Sequence, residues 1–202
     1  KKNIIRKIYK KIDIFKNKKK FIIKNKNKKS FIKYSDKYFK RDYENITFIE
    51  GYFQSEKYFK DYEYELRKEL SFNSKITNIR NEIKNKILET NSVQIHIRNH
   101  VFTETKRKRE SQHNIKRSEI YTKKTIEHCK KAINFIKSKT VSPKFFVFSN
   151  DFTFIKEIFS GNDFVYVNNN NNSEPIEDFY LMSLCKHFII SPSTFSWWAA
   201  WL

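Results

Sequence analysis

Glycine is almost absent from this chain of 202 residues, which contains only Gly51 and Gly161. The P-loop and the GxGxxG loop of dinucleotide-binding folds each need several glycines close together. The residues given therefore exclude both motifs. A nucleotide site in this sequence has to hold phosphate by other means, such as hydroxyl side chains, arginine and the backbone N–H groups at the start of a helix.

Cysteine and long apolar runs are also scarce. Cys129 and Cys185 fall in predicted helices and lack CxxC spacing, so we predict small buried residues in a reducing compartment rather than a metal site or a disulfide. No stretch approaches the roughly 18 apolar residues of a membrane span, and no signal peptide is present. These features predict a cytoplasmic protein.

Acidic residues are few beside basic ones: 22 Asp and Glu face 42 Lys and Arg, for a net charge of +20. Such a charge is typical of proteins that bind nucleic acid or anionic membrane, but lysine used as the default surface residue produces it too. The apolar spacing of residues 4–15 predicts a basic amphipathic helix, which either rests on an anionic membrane surface or packs on its own domain.

Strands and helices alternate from about residue 91 onward, which predicts a parallel sheet covered on both faces. We predict strands at 93–97, 144–149, 164–167 and 188–190, a long helix from Ser118 to about 139, and shorter helices at 152–159 and 175–186. Residues 99–117 read as a charged loop. Before them, a strand at 46–51 precedes helices at 55–70 and 75–88.

Three strand ends carry candidate site residues, because ligands bind beyond the carboxyl ends of parallel strands. His96 and Arg98 share one face at the end of the first strand, and a guanidinium can contact a phosphate in bidentate fashion. The alternatives are an Arg98 paired with a carboxylate and an interior His96. Asp151 follows the second strand, where it suits ribose hydroxyls or a purine edge, or else caps the next helix.

The third strand end is the segment 191–196, Ser-Pro-Ser-Thr-Phe-Ser. Ser193, Thr194 and Ser196 surround Phe195 at the start of an apolar helix. Hydroxyls and backbone N–H groups at a helix start make a phosphate-binding site without glycine. A simple helix cap is the alternative.

These motifs together resemble those of glycosyltransferase family 11, the bacterial α-1,2-fucosyltransferase family. Residues 178–202 are similar to its C-terminal motif, 145–151 to F-x-V/I-F-S-D-D, 51–59 to G-Y-x-Q-S-x-x-Y-F, and 95–98 to the first part of H-x-R-R-G-D. The likeness covers about residues 46–202. The family's N-terminal G-G-x-G-N-Q-x-F-Q segment has no counterpart here, so we expect a fragment that lacks it.

The resemblance implies an α/β, GT-B-like fold, with a Rossmann-like donor domain over 91–202 and part of a helical or α/β acceptor domain over 1–90. It implies an inverting galactoside α-1,2-fucosyltransferase that moves L-fucose from GDP-β-L-fucose to the 2-hydroxyl of a galactose, with no metal or other cofactor. The implied acceptor is a galactose-terminated oligosaccharide of lipopolysaccharide biosynthesis, and the implied place is the cytoplasm or the inner face of the membrane.

The resemblance also implies a role for each site residue. Arg98 would hold the β-phosphate and offset the charge on departing GDP, and His96 would position the phosphate site. Donor contacts would come from Asp151 and from the 193–196 segment: Ser193, Thr194, Phe195 and Ser196.

Two features leave other readings open. Asn99, His100 and Val101 stand where the family usually has Arg, Gly and Asp, which removes one cation and one carboxylate and makes an inactive relative an alternative. The general base could be His100, Glu56 or Glu104. The other alternative is a basic nucleic-acid-binding module using the N-terminal helix and Lys106–Arg109, although the resemblance implies no nucleic-acid partner.

Overall fold

The computed structural model describes residues 21–24, 34–36, 39–40, 47–50, 53–103, 111–167 and 174–202. Four predicted features lie outside these residues: the amphipathic helix at 4–15, the candidate base Glu104, the basic cluster at 106–109 and the loop at 168–172. The chain divides into two compact units, residues 1–69 and 70–202.

The first unit contains a short parallel strand pair, β1 (Phe21–Lys24) and β2 (Thr47–Glu50). The strand predicted at 46–51 corresponds to β2. The single helix predicted over 55–70 is wrong in its first half. Two 3₁₀ turns, Glu56–Tyr58 and Lys60–Tyr62, precede α1 (Glu63–Glu69). The interruption falls at Phe59, whose φ of −140° lies outside the helical region.

The second unit is a parallel α/β layer structure. Its elements in chain order are α2 (Ser74–Thr77), α3 (Asn81–Glu89), β3 (Asn91–Ile97), α4 (Gln112–Lys139), β4 (Pro143–Ser149), α5 (Ile155–Ile158), β5 (Phe164–Tyr166), α6 (Pro175–Ser183), β6 (His187–Ile189) and α7 (Thr194–Trp201). The predicted alternation from residue 91 onward is thus confirmed, with shifts at several element ends.

The four strands form one sheet in the order β5-β4-β3-β6, and every neighbouring pair is parallel. In the central strand, Val93 pairs with Phe145 of β4 on one side and with His187 of β6 on the other. This order is that of the first four strands of a doubly wound nucleotide-binding sheet. The predicted Rossmann-like α/β class is confirmed.

The two faces of the sheet are buried differently. One face presents the apolar residues Val93, Ile95 and Ile97 of β3 to a core that includes Cys129 and Ile133 of α4. The other face of β4 packs Phe146 and Phe148 against side chains of α3, α6 and α7. Residues alternate between faces along a strand, so the second face of β3 carries three polar residues: Ser92, Gln94 and His96. The central strand is therefore apolar on one side only.

Gln94 lies at the centre of that polar line and is 0% exposed. Its neighbours in register are Phe146 on β4 and Phe188 on β6. Neither amide atom of its side chain has a hydrogen-bond partner within the described part of the chain. A buried amide in this position costs stability, because it has lost its hydrogen bonds to water.

The long helix begins earlier than predicted. Ser111, not Ser118, caps α4, and its hydroxyl accepts a hydrogen bond from the backbone N–H of Asn114 at 3.4 Å. Ser118 is buried inside the helix, where its hydroxyl accepts from the backbone N–H of Phe102 at 3.1 Å. A serine inside a helix can serve a neighbouring loop, and the sequence pattern does not distinguish this from a cap.

The helix predicted over 75–88 is also wrong as a continuous element. It breaks into α2 and α3 at Arg80, which has a left-handed backbone with φ of 46°. The Arg80 guanidinium donates to the Asp178 carboxylate of α6 at 2.7 Å, with both side chains mostly buried. This ion pair joins the break to α6.

Cys129 and Cys185 are both buried and unbridged, as predicted. No helix in the described residues is long and apolar enough to cross a membrane. The proposed division into acceptor and donor halves near residue 90 stays a prediction. The compact units themselves separate at residue 70, since Ile87 of α3 belongs to the core of the second unit.

Candidate functional site at the strand ends

The sheet order defines where a ligand is expected. From β3 the chain runs to β4 on one side, whereas the strand on the other side of β3 is β6. The crevice outside the carboxyl ends of β3 and β6 is therefore the switch point of the sheet, the usual ligand position in doubly wound folds. His96 lies near the end of β3 there, Arg98 follows the strand, and residues 191–196 follow β6.

His96 and two serines meet at this point. The Nδ1 atom of His96 lies 3.1 Å from the Ser196 Oγ and 3.4 Å from the Ser191 Oγ, and the two hydroxyl oxygens are 3.2 Å apart. Ser196 also donates to the backbone oxygen of Ser193 at 3.4 Å. We call His96, Ser191 and Ser196 the switch-point cluster. It joins residues almost a hundred positions apart.

The imidazole of this cluster is neutral near neutral pH. Burial, together with the smaller effect of the positive charge of Arg98, lowers the pKa of His96 to about 4. Burial acts in this direction because it penalises the charged imidazolium. His96 is thus a buried histidine with side-chain partners, as the interior-histidine alternative expects. Its partners, however, are residues of the predicted site.

The N-terminus of α7 supplies the other part of this strand end. Ser193 is the N-cap residue with extended backbone, and among the described residues its side chain makes no capping hydrogen bond. Thr194 is exposed, whereas Ser196 is 0% exposed. The surface that a ligand can reach is consequently made by Ser193 and Thr194, while Ser196 lies beneath them and contacts His96.

Phe195 is partly buried and packs against two aromatic side chains. Its ring centroid is 5.7 Å from that of His96 and 5.0 Å from that of Phe179 on α6. Arg98, by contrast, is exposed at the end of β3, and its charge acts on both His96 and Tyr121. The structure thus brings His96, Phe195 and Ser196 into contact, and Arg98 lies two residues beyond His96, near enough for its charge to act on the imidazole.

Asp151 lies at the neighbouring strand end, after β4. Its Oδ1 accepts hydrogen bonds from the Thr153 backbone N–H at 2.9 Å and the Thr153 hydroxyl at 2.6 Å. Its Oδ2 lies 3.4 Å from the His100 Nε2. The hydrogen bonds from Thr153, and then His100, lower the pKa of Asp151. The carboxylate closes the turn before α5, which begins at Ile155 rather than at the predicted Phe152.

The segment that departs from the family pattern has a defined structure. The Asn99 backbone N–H donates to the Asn150 Oδ1 at 2.8 Å, and the Asn150 Nδ2 donates back to the Asn99 carbonyl at 3.1 Å. Asn99 as a whole is 1% exposed, and its side-chain amide donates to the Asp151 carbonyl at 2.9 Å. Asn99 therefore fastens the end of β3 to the end of β4.

His100 has a left-handed backbone with φ of 58°. The H-x-R-R-G-D motif of the family has glycine at this position, and glycine adopts a left-handed conformation without steric cost. The departure therefore places a histidine in a backbone conformation that glycine adopts more easily.

A cleft of about 1120 Å³ opens beside Asn99, His100 and Asn150. Helix α4 forms its opposite wall with four charged residues, Glu119, Lys123, Glu127 and Lys130, and apolar Phe154 and Ile158 contribute from the α5 region. The cleft is large enough for a small polar ligand.

Sequence reasoning missed two residues that build the site. The sequence pattern marks Ser191 only as the first residue of the segment 191–196, yet it contacts both His96 and Ser196. Tyr121 of α4 donates its hydroxyl proton to the Pro192 carbonyl at 2.9 Å. No local pattern could reveal this contact, because the two residues are 71 positions apart.

In the described residues, no group of three or more His, Cys, Asp or Glu side chains is placed to hold a metal ion.

Comparison with known proteins identifies relatives of this chain. The model of the family described as Glycosyl transferase family 11 matches residues 2–202. An alpha-1,2-colitosyltransferase of Escherichia coli is 34% identical over 162 residues, covering 78% of this chain and 51% of the relative. No solved structure matches the chain significantly.

Shorter matches come from two further relatives. An O-antigen biosynthesis glycosyltransferase of Escherichia coli is 38% identical over 78 residues, which cover 38% of this chain and 26% of the relative. Galactoside alpha-(1,2)-fucosyltransferase 2 of Bos taurus is 31% identical over 77 residues, 37% of this chain and 22% of the relative. This chain thus spans about half the length of the first relative and less of the other two.

Proposed function

The chain belongs to glycosyltransferase family 11, and from that membership we propose that it transfers L-fucose from GDP-β-L-fucose to the 2-hydroxyl of a galactose, with inversion at the anomeric carbon. The acceptor in this proposal is a galactose-terminated oligosaccharide of a surface glycan such as lipopolysaccharide. A relative that acts in O-antigen biosynthesis supports that class of acceptor.

The observation that carries the proposal is the position of the switch-point cluster. A neutral His96 contacts Ser196 and Ser191 at the crevice where β3 and β6 diverge, with the guanidinium of Arg98 beside it. The start of α7 adds backbone N–H groups and the hydroxyls of Ser193 and Thr194. Anionic diphosphate is the ligand that this combination of hydroxyls, helix start and arginine suits.

Arg98 has the central chemical role in this proposal. As the bond between the anomeric carbon and the phosphate oxygen breaks, negative charge develops on GDP, and a fixed guanidinium stabilises it. His96, held neutral by burial, positions the serines. A charged imidazolium there would repel Arg98, so the lowered pKa of His96 serves the site. The carboxylate of Asp151 keeps lone pairs for a ribose hydroxyl in addition to its contacts with Thr153 and His100.

The colitosyltransferase relative favours a second donor. Colitose is fucose without its 3-hydroxyl, so a site that hydrogen-bonds that hydroxyl would reject it strongly, whereas an apolar site would accept both sugars. GDP-colitose is therefore the second candidate donor. The acceptor chemistry and the roles of Arg98 and the 193–196 segment are the same for both donors.

The test is a transfer assay. Full-length protein is incubated with GDP-fucose or GDP-colitose and galactose-terminated oligosaccharides, with and without EDTA, and both GDP release and the product linkage are measured. We expect a 2-linked product that EDTA does not diminish. Two negative results together would contradict the proposed donor site: no release of GDP, and no rise in the unfolding temperature when GDP is added. They would favour the alternative that the protein is an inactive relative.

A variant tests the role of Arg98. Arg98→Ala should reduce turnover by about 10²-fold or more, since one fixed charge-stabilising group is lost. Arg67→Ala is the matched control, because Arg67 is an exposed arginine that pairs with Glu63 on α1. Wild-type turnover in Arg98→Ala would remove Arg98 from the mechanism.

A further inference from the structure

His100 presents an imidazole to the cleft at the strand ends. Its side chain is 64% exposed, and it lines the space of about 1120 Å³ together with Asn99 and Asn150. It follows Arg98 by two residues, at the carboxyl end of β3. An exposed imidazole next to the proposed phosphate-binding arginine is placed where a sugar hydroxyl can reach it.

Asp151 holds one side of this imidazole. The His100 Nε2 is 3.4 Å from the Asp151 Oδ2, while the Asp151 Oδ1 is held by two hydrogen bonds from Thr153. These contacts lower the pKa of Asp151, which keeps it ionised. A carboxylate fixed in this way favours the tautomer with its proton on Nε2 and leaves Nδ1 as the basic atom. This is the arrangement in which one group orients a catalytic base.

The backbone of His100 is held in a strained conformation. Its φ of 58° lies in the left-handed region, which is sparsely populated by residues other than glycine. The reciprocal hydrogen bonds of Asn99 and Asn150 fix one side, and Thr103 fixes the other by donating its N–H and its hydroxyl to the His100 carbonyl at 2.9 and 3.2 Å. Strained residues held by their surroundings are concentrated at functional sites.

Other groups in the described residues fit the role of base less well. His96 has its Nδ1 engaged by two serines and a pKa lowered to about 4. Glu119 and Glu127 of α4 also line the cleft, with Lys123 and Lys130 beside them. These two carboxylates are the rivals in the cleft; among the described residues, Asp151, which contacts His100, and the two lysines are the other charged groups that line the cleft or touch the imidazole.

We propose that His100, oriented by Asp151, is the general base of the sugar transfer; this inference rests on the proposed function. The His100 Nδ1 removes the proton from the acceptor 2-hydroxyl as its oxygen bonds to the anomeric carbon. The bond from that carbon to the phosphate oxygen breaks, and GDP leaves with the electron pair. The proton passes from the imidazolium to solvent, which restores the base.

Chemical rescue tests the proposal. In His100→Gly the imidazole is lost while the left-handed backbone becomes unstrained, so the variant folds and should bind GDP as the wild type does. We expect its turnover to fall by about 10²-fold or more and to recover severalfold when imidazole is added to the buffer. His100→Gln should show the same loss of turnover.

Controls separate the base from its rivals and from the proposed function. His128→Gln, an exposed histidine of α4, should keep wild-type turnover. Glu119→Gln and Glu127→Gln should each change turnover less than tenfold, and Asp151→Asn should lower turnover more than it lowers GDP affinity. Wild-type activity in both His100 variants, or a loss that imidazole does not restore, would overturn the proposal. If the wild type itself transfers no sugar, the proposed function fails instead.

Discussion

The hydroxyl of Tyr121 donates a hydrogen bond to the carbonyl oxygen of Pro192 over 2.9 Å. This contact joins the first half of α4 to the loop that carries Ser191 and Ser193. The same stretch of α4 holds the loop after β3, because the Ser118 hydroxyl accepts from the Phe102 N–H at 3.1 Å and the Phe102 ring packs edge-on against Tyr121. One helix thus anchors the loops on both sides of the switch point.

Tyr121→Phe removes this hydrogen bond and keeps the ring. We expect a loss of about 1 kcal/mol in the free energy of unfolding, the usual contribution of a single hydrogen bond. The Michaelis constant for the donor should rise severalfold, because the 191–193 loop is less firmly held. Urea denaturation and steady-state kinetics measure the two effects. Tyr64→Phe, at a 76% exposed site on α1, is the control, and equal behaviour of the two variants would show that the contact has no role.

Acid should weaken the folded state through His96. Its pKa is lowered to about 4 in the folded protein, against about 6.5 for the unfolded chain. Between these values the unfolded chain binds the extra proton, so stability is complete above about pH 6.5 and falls as the pH drops toward 4. The full effect is on the order of 3 kcal/mol.

The measurement is the free energy of unfolding of wild type and His96→Gln at several values between pH 4.5 and 7.5. The difference between the two proteins should shrink as the pH falls, because only the wild type carries this proton-linked loss. A difference that stays constant with pH would mean that His96 does not remain neutral in the fold.

Ser193 and Ser196 should respond differently to truncation. Ser196 is fully buried and contacts His96 and Ser191, so Ser196→Ala should cost about 1–2 kcal/mol of stability. The Ser193 side chain makes no capping hydrogen bond in the described structure, so Ser193→Ala should change stability by less than about 0.5 kcal/mol.

Donor affinity separates the same pair. If Ser193 contacts the diphosphate, Ser193→Ala should weaken GDP binding roughly tenfold, since a hydrogen bond to a charged group is lost. Calorimetric titration with GDP checks this, with thermal unfolding on the same samples. Unchanged GDP affinity in Ser193→Ala would place the phosphate elsewhere.

Gln94→Met should stabilise the protein by about 1 kcal/mol. The substitution removes a buried amide that has no partner among the described residues and fills a similar volume between Phe146 and Phe188. The midpoint of urea unfolding should therefore rise, whereas Gln112→Met at the exposed start of α4 should leave it unchanged. A fall in the midpoint would indicate that the Gln94 amide has a partner.

Much of the second unit could be predicted from sequence because its signals are local. The apolar runs of β3 and β4 are bounded by turn-forming residues, and each run is followed by a helical pattern. These local patterns are enough to predict the parallel sheet and to place Arg98 and Asp151 at two strand ends. The hydroxyl residues at 193–196 likewise form a local pattern, at the start of a helix, and this pattern predicts a phosphate-binding site.

What could not be predicted depends on contacts between distant residues. The break at Arg80 accompanies an ion pair with Asp178, 98 positions away. Ser118 accepts a hydrogen bond from Phe102 rather than capping a helix. Asn99 links two strand ends, whereas the family pattern predicts only a lost cation at this position. In each case a polar side chain has a local use and a tertiary use, and the sequence alone does not say which one applies.

The left-handed backbone at His100 bears on how this protein would respond to selection. Glycine relaxes that conformation by roughly 1 kcal/mol, so a screen that rewards heat resistance alone drives position 100 toward glycine. Heat-resistant survivors would then lack the imidazole at the mouth of the cleft. Laboratory evolution of this chain should therefore score sugar transfer and thermal tolerance in the same round.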